Sequence, residues 1–221
     1  MLAVGVAIPS FASPPAPDGP PGRVKSGTGF FVTLDGFLMT SAHVVAGCGN
    51  VSIWPQDGVE RQGYLVASDA KRDIALLFGG YDVARNAAIL GREPPRPGED
   101  VYTLGFGVHA EEPLRPTLVG GSFVGDDTAT TGNRVLLIRA KLRAGNSGGA
   151  LIGPDGSLVG MVIGRDKERP EMGVAVPGGD IEALLAAHRI PLPAASPRSE
   201  SAQALLSAIS VLIQCTPAEA R

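Results

Sequence analysis

The sequence predicts an all-β protein, a barrel or sandwich of short antiparallel strands in one double-layered domain. Two observations carry that prediction. The 221 residues include 30 Gly and 19 Pro, which suits a turn-rich chain better than a helix bundle. Short apolar runs recur along most of the chain with turn signals between them. At 44% hydrophobic and 19% charged, the chain can bury a sizeable core.

Taken in order, Leu2 to Ile8 is a short apolar run followed by Ser10-Phe11-Ala12, a small-residue cleavage-like site. It lacks a basic leading segment, so it reads as an incomplete signal peptide, with a floppy N-terminus as the alternative. Residues 13–22, rich in Pro and Gly, form a disordered or polyproline-like leader. Runs at 28–33 and 36–40 flank the turn Leu34-Asp35-Gly36, and runs at 50–54 and 60–67 flank Gln56-Asp57-Gly58. A strand at 74–78 follows Asp73, and residues 92–98 are a Pro-rich connector. Further strands are expected at 100–105, 115–124, 134–142, 150–153, 157–163 and 173–176. Ile181, Leu184, Leu185 and His188 recur at helical spacing behind a cap at or beside Asp180. Pro191 to Pro197 is a linker, and 201–213 reads as a helix and then a strand, a tail packing back on the domain.

Several classes drop out. The net charge of -3 gives no reason to expect nucleic acid or an acidic membrane as partner. No stretch after the leader is long and apolar enough to span a bilayer. No Cys/His cluster has zinc-ligand spacing, so neither metal nor cofactor is expected. No repeat of 20–50 residues is present.

The chemistry concentrates in Gly145-Asn146-Ser147-Gly148-Gly149. Glycines remove Cβ atoms, so another backbone can approach and amide N–H groups can point into shared space. A serine hydroxyl is a weak nucleophile without a base. Upstream, His43 ends the apolar segment Met39-Thr40-Ser41-Ala42-His43-Val44-Val45. Asp73 enters the apolar run Ile74-Ala75-Leu76-Leu77, where a carboxylate is costly unless hydrogen-bonded.

These three segments, in the order His43, Asp73, Ser147, resemble the trypsin-like serine peptidases, and most of all their bacterial HtrA (Deg) branch. Gly27-Thr28-Gly29-Phe30 matches that branch's opening strand, and the resemblance covers about residues 26 to 190. It implies two six-stranded antiparallel β-barrels, about 23–91 and 98–178, followed by a helix at about 179–189. It also implies a serine endopeptidase acting on polypeptides, with Ser147 as nucleophile, His43 as base and Asp73 orienting it. The oxyanion hole would comprise Gly145, Asn146 and Ser147. Ala144, Met161, Val162, Ile163, Gly164 and Arg165 would bind substrate, with Val174-Ala175-Val176 behind. Asn146 stands where zymogen-activated relatives carry an aspartate, so no zymogen cut is expected. About 30 residues follow Pro191, too few for the PDZ domain of many HtrA relatives. The oligomeric state stays open.

Cys48 and Cys215 form an even pair in a chain that reads as exported, periplasmic or secreted, so a disulfide is expected, against two free buried thiols. Arg139, Lys141 and Arg143 alternate with Ala140, Leu142 and Ala144, and Arg165, Lys167 and Arg169 form a second basic stretch. Either these cations favour acidic groups in the substrate or they form a solvated edge.

Other residues and folds compete with this reading. Asp69 competes with Asp73 but reads as a turn residue. His109 reads as an exposed loop residue, His188 as a helix terminus, and Trp54 as core or sheet edge. The pentapeptide also fits the nucleophile elbow of α/β-hydrolases, but that fold needs its acid and base after the serine, where only His188 remains. A binding or scaffold module on the same fold, active only with a partner, is the alternative function.

Overall fold

A computed structural model describes residues 24–91, 95–107, 115–128, 132–193 and 201–218. His109 lies outside them. The first half of the chain gives β1 (Lys25–Phe31), β2 (Phe37–Thr40), α1 (Ala42–Val45), β3 (Cys48–Trp54), β4 (Arg61–Gln62), β5 (Tyr64–Asp69) and β6 (Ile74–Phe78). The second half gives β7 (Asp100–Gly105), β8 (Thr117–Asp127), β9 (Val135–Ala140), β10 (Ala150–Ile152), β11 (Leu158–Arg165) and β12 (Met172–Pro177). Helices α2 (Gly178–Ala187) and α3 (Ala202–Ile209) precede a last strand, β13 (Ser210–Pro217).

The expectation of two six-stranded barrels is met in the second half alone. There β10-β11-β12-β9-β8-β7 close into a barrel, completed by the ladder between β10 and β7. The first half is an open, curled sheet of seven strands, ordered β4-β3-β13-β1-β2-β6-β5. Two physical features explain the difference. The run expected as one strand over 60–67 breaks at Gly63, where a Cβ would lie 3.0 Å from Ile53. The edge strands β4 and β5 are therefore consecutive along one bent segment, with no ladder between them. The other feature is β13, which inserts between β1 and β3 and adds a seventh strand from the far end of the chain.

Strand β13 is apolar because it is central. Val211, Leu212 and Ile213 are buried, and each such side chain contributes on the order of 2 kcal/mol when taken from water. Its Cys215 is bonded to Cys48 on β3, with Cα atoms 5.4 Å apart. The disulfide expected from the cysteine count is thus present, and it closes a loop of 167 residues.

The largest cluster of buried side chains joins the two halves. Phe30, Met39, Ile74 and Leu76 from the open sheet meet Leu104, Phe106 and Met161 from the barrel, with Ile181 of α2 and Leu206 of α3 alongside. The residue before α2 is Pro177, which makes no side-chain cap; Asp180 sits in the first turn instead, where its charge suits the helix dipole. His188 ends that helix, as expected.

Candidate active site

The site is built at the junction of the halves. Asp73 occupies the turn between β5 and β6 with φ 59°, a left-handed conformation that aspartate tolerates better than most residues. The turn is pinned from several sides. Asn133 Nδ2 donates to the Lys71 carbonyl at 2.7 Å, and Arg72 reaches Asp180 of α2 at 3.4 Å. The Asp73 carbonyl accepts from the Ala42 N–H at 3.2 Å. Its carboxylate takes two bonds from one residue: Oδ1 accepts from the His43 N–H at 2.8 Å, and Oδ2 lies 2.7 Å from His43 Nδ1. The imidazole is thus held at its backbone and its ring together, which leaves Nε2 turned away from the carboxylate.

The rival Asp69 is spent elsewhere. It accepts from the N–H groups of Lys71 and Arg72 and pairs with the Arg72 guanidinium at 2.6 Å. Burial pushes its carboxyl up, but the Arg72 and Lys71 donors outweigh that and hold it below the usual carboxylate range.

Ser147 lies on the other wall. Residues 143–146 form a turn closed by the Asn146 N–H donating to the Arg143 carbonyl at 3.1 Å. Gly145 has φ +96° at the third position, which makes the turn type II. No other residue fits there, because a Cβ would lie 1.8 Å from the Phe106 carbonyl oxygen. Asn146 is buried; its Oδ1 accepts from the Arg143 N–H at 2.7 Å, and its amide packs where a side chain on Gly105 would stand. The N–H groups of Gly145 and Ser147 bond to no acceptor among the described residues.

Thr28 of β1 ties this turn to the other half. It is fully buried. Its Oγ1 donates to the Gly145 carbonyl at 2.6 Å and accepts from the Phe106 N–H at 3.1 Å. Its own N–H donates to the Ser147 carbonyl at 2.9 Å. On its flanks, a Cβ on Gly27 would meet Val44, next to His43, and the Ser147 carbonyl. A Cβ on Gly148 would meet the Thr28 carbonyl, Thr40 and the Ser41 N–H. The His43 segment and the Ser147 turn therefore press on the same short stretch of β1. The sequence marked Thr28 only as part of a strand motif; the signal for its role was its place between two glycines.

The expected substrate-binding residues divide into two groups. Met161 pairs with both Ala150 and Val176, and Val162 donates to Gly149 and accepts from Gly148, so both are core with their backbone groups committed. Beyond them, Gly164 and Arg165 pair with β12 on one side only, after a bulge at Ile163. The Ile163 carbonyl accepts from Ser147 Oγ at 3.3 Å. Ile163 to Arg165 thus leave a free strand edge beside Ser147, among the described residues. Ala144 is exposed in the 143–146 turn. Of the cations, Arg169 is neutralised by Asp166 at 2.7 Å and Asp127 at 3.2 Å, so it does not belong to a free basic stretch. Among the described residues no group of His, Cys, Asp and Glu is arranged to hold a metal.

With this geometry in view, a trypsin-like peptidase domain matches residues 27–161. The chain belongs to the trypsin-like peptidase family. It is 33% identical over 171 residues to serine protease Rv3671c of Mycobacterium tuberculosis, covering 74% of this chain and 42% of that protein. Against serine protease HTRA1 of Xenopus tropicalis it is 31% identical over 172 residues, covering 73% and 35%. The chain spans about two-fifths or less of the length of these relatives. The solved structure of Rv3671c protease in its inactive form matches with a TM-score of 0.63 at 28% identity, over 75% of this chain and 87% of that one.

Proposed function

We propose that the chain is a serine endopeptidase in which Ser147 is the nucleophile, His43 the general base and Asp73 its orienting carboxylate. The observation that carries this reading is the doubly bonded His43–Asp73 pair standing against the same stretch of β1 as an ordered Gly145-Asn146-Ser147 turn. Rotation of Ser147 Oγ away from the Ile163 carbonyl brings its proton to His43 Nε2 as the oxygen bonds to the substrate carbonyl carbon. The carbonyl oxygen becomes negative and is met by the N–H groups of Gly145 and Ser147. Imidazolium, steadied by Asp73, then protonates the amine as the C–N bond breaks, leaving an acyl-enzyme that water hydrolyses by the same base. Substrate backbone pairs with the free edge at Ile163 to Arg165.

The latent, partner-activated module is less favoured, because the type II turn leaves both N–H groups unbonded among the described residues. No zymogen cut is needed, because the Asn146 amide bonds to Arg143 within its own loop. The disulfide fits a periplasmic or secreted setting, and no helix among the described residues is long and apolar enough to cross a membrane.

The test is labelling by a fluorophosphonate probe together with cleavage of proteome-derived peptides, for wild type, Ser147→Ala and His43→Ala. Labelling that requires both residues is expected; a folded wild type that neither labels nor cleaves refutes the reading. A large rise in activity on removing residues 1–22 would sink the claim that no activating cut is required.

A further inference from the structure

Resting on the protease reading, we propose that Arg165 makes this site selective for peptides with an acidic side chain, Asp or Glu, on the residue whose carbonyl Ser147 attacks. The position comes first. Ser147 Oγ bonds to the Ile163 carbonyl, and Arg165 lies two residues farther along the same free edge, about 7 Å at strand rise. A substrate strand lying on that edge with the attacked carbonyl at Ser147 places the side chain of that same residue in the neighbourhood of Arg165.

The register then says which way Arg165 projects. Arg165 is opposite Gly173 on β12, and Gly173 is opposite Ile138 on β9. Directly opposed residues of antiparallel strands project to the same face. Arg165 therefore stands on the face that Ile138 presents to the barrel interior, at the last residue of β11. Gly173 between them has no side chain, and a Cβ there would lie 2.5 Å from Leu142 Cδ1 and 2.8 Å from Ile138. The surface that this face presents next to Arg165 is thus glycine and aliphatic carbon. Such a surface offers a carboxylate nothing, so one guanidinium beside it decides whether a charged side chain is accepted.

That guanidinium is available. Arg165 is exposed and forms no hydrogen bond or ion pair among the described residues, while the carboxylate that follows it, Asp166, is taken by Arg169. Asp127, across on β8, is bonded to Arg169 as well. Glu168 and Glu171 are exposed and unbonded to Arg165. On the N-terminal side of Ser147, Lys141 and Arg143 are exposed and form no ion pair among the described residues, while Ala140 and Leu142 between and beside them are buried. Two cations on that wall reinforce the sign of the field that Arg165 sets.

The test is a matched set of fluorogenic peptides differing only in the residue before the scissile bond, with Asp, Glu, Ala, Leu or Lys. Wild type should cleave the Asp or Glu peptide with kcat/KM about tenfold or more above Ala and Leu. Arg165→Ala should lower that acidic-to-Ala ratio about tenfold, and Arg165→Glu should turn it toward Lys. Lys167→Ala, altering an exposed neighbour, should leave the ratio unchanged. A wild type preferring Ala or Leu, or an Arg165→Ala ratio equal to wild type, overturns the inference while leaving an active protease. So does a Lys167→Ala loss as large as that of Arg165→Ala. Absence of both cleavage and fluorophosphonate labelling removes the protease reading itself, and this inference with it.

Discussion

Thr28→Val is the most informative single substitution outside the proposed triad. Valine keeps the shape of a side chain that is completely buried, and the backbone bond from residue 28 to the Ser147 carbonyl survives. What disappears is one oxygen that both donates to the Gly145 carbonyl and accepts from the Phe106 N–H. Two buried backbone groups lose their partner together, each at about 1–3 kcal/mol, and local settling recovers part of this. The expected destabilisation is about 3 kcal/mol, read as a lower urea midpoint at unchanged slope. The effect on turnover is separable. Gly145 holds φ +96° with its carbonyl anchored by Thr28. Released, that glycine can swing to negative φ, which turns its N–H away from the developing oxyanion. A full loss of one such donor costs a factor on the order of 100–1000 in kcat, so a partial shift should cost about 10–100 with KM little changed. Fluorophosphonate labelling per folded molecule, measured where the variant is fully native, isolates this term. If stability falls as expected and the labelling rate does not, Thr28 is a core residue and has no hand in the turn.

Other outcomes follow from the same geometry. Asp73→Asn should lower kcat by a factor on the order of 10⁴ by releasing the imidazole, whereas Asp69→Asn should change kcat little, because Asp69 serves Lys71 and Arg72; steady-state kinetics showing the reverse would reassign the carboxylate. Reduction of Cys48–Cys215, which closes 167 residues, should lower the unfolding free energy by about 2–5 kcal/mol in denaturant titrations with and without reductant; an unchanged midpoint would show that β13 is held by its ladders alone. Asp166 is held below the usual carboxylate range, first by the Arg169 guanidinium and then by the Glu168 N–H. Its stabilising contribution is therefore complete above the unfolded value of about 4 and is lost as pH falls through the lower folded value. Asp166→Asn should thus be less stable than wild type at neutral pH, with the gap closing below about pH 4; a gap independent of pH would contradict this.

What the sequence disclosed and what it withheld divide along contact range. The strands of the barrel were legible because alternation and turn residues are local, and the pairing of Cys48 with Cys215 because two cysteines allow one intramolecular bond. The meeting of His43 with Asp73 was legible through motif order alone, since nothing within either segment shows that the backbone N–H of His43 would join its ring in holding the carboxylate. The open first sheet was not legible, because closure turns on a bend at Gly63 and on a strand arriving from residues 210–217. Side-chain partners across the chain were hidden for the same reason. Arg169 reads as a free cation until Asp127, 42 residues away, is seen beside it. Thr28 reads as strand filler until Gly145 and Phe106 are found on its hydroxyl.

The placement of β13 also sets a clock. Residues 25–30 of β1 find one of their two neighbouring strands only in residues 210–215. At a synthesis rate of about 5–20 residues per second, β1 waits roughly 10–40 s for that partner to emerge. Until then the strand that carries Thr28 has an unpaired edge, and the wall it offers the Ser147 turn is unfinished. The nascent chain therefore passes through roughly the last third of its synthesis with His43 and Ser147 already made and their common support still missing, so that on the proposed reading cutting ability would arrive with β13 rather than with Ser147.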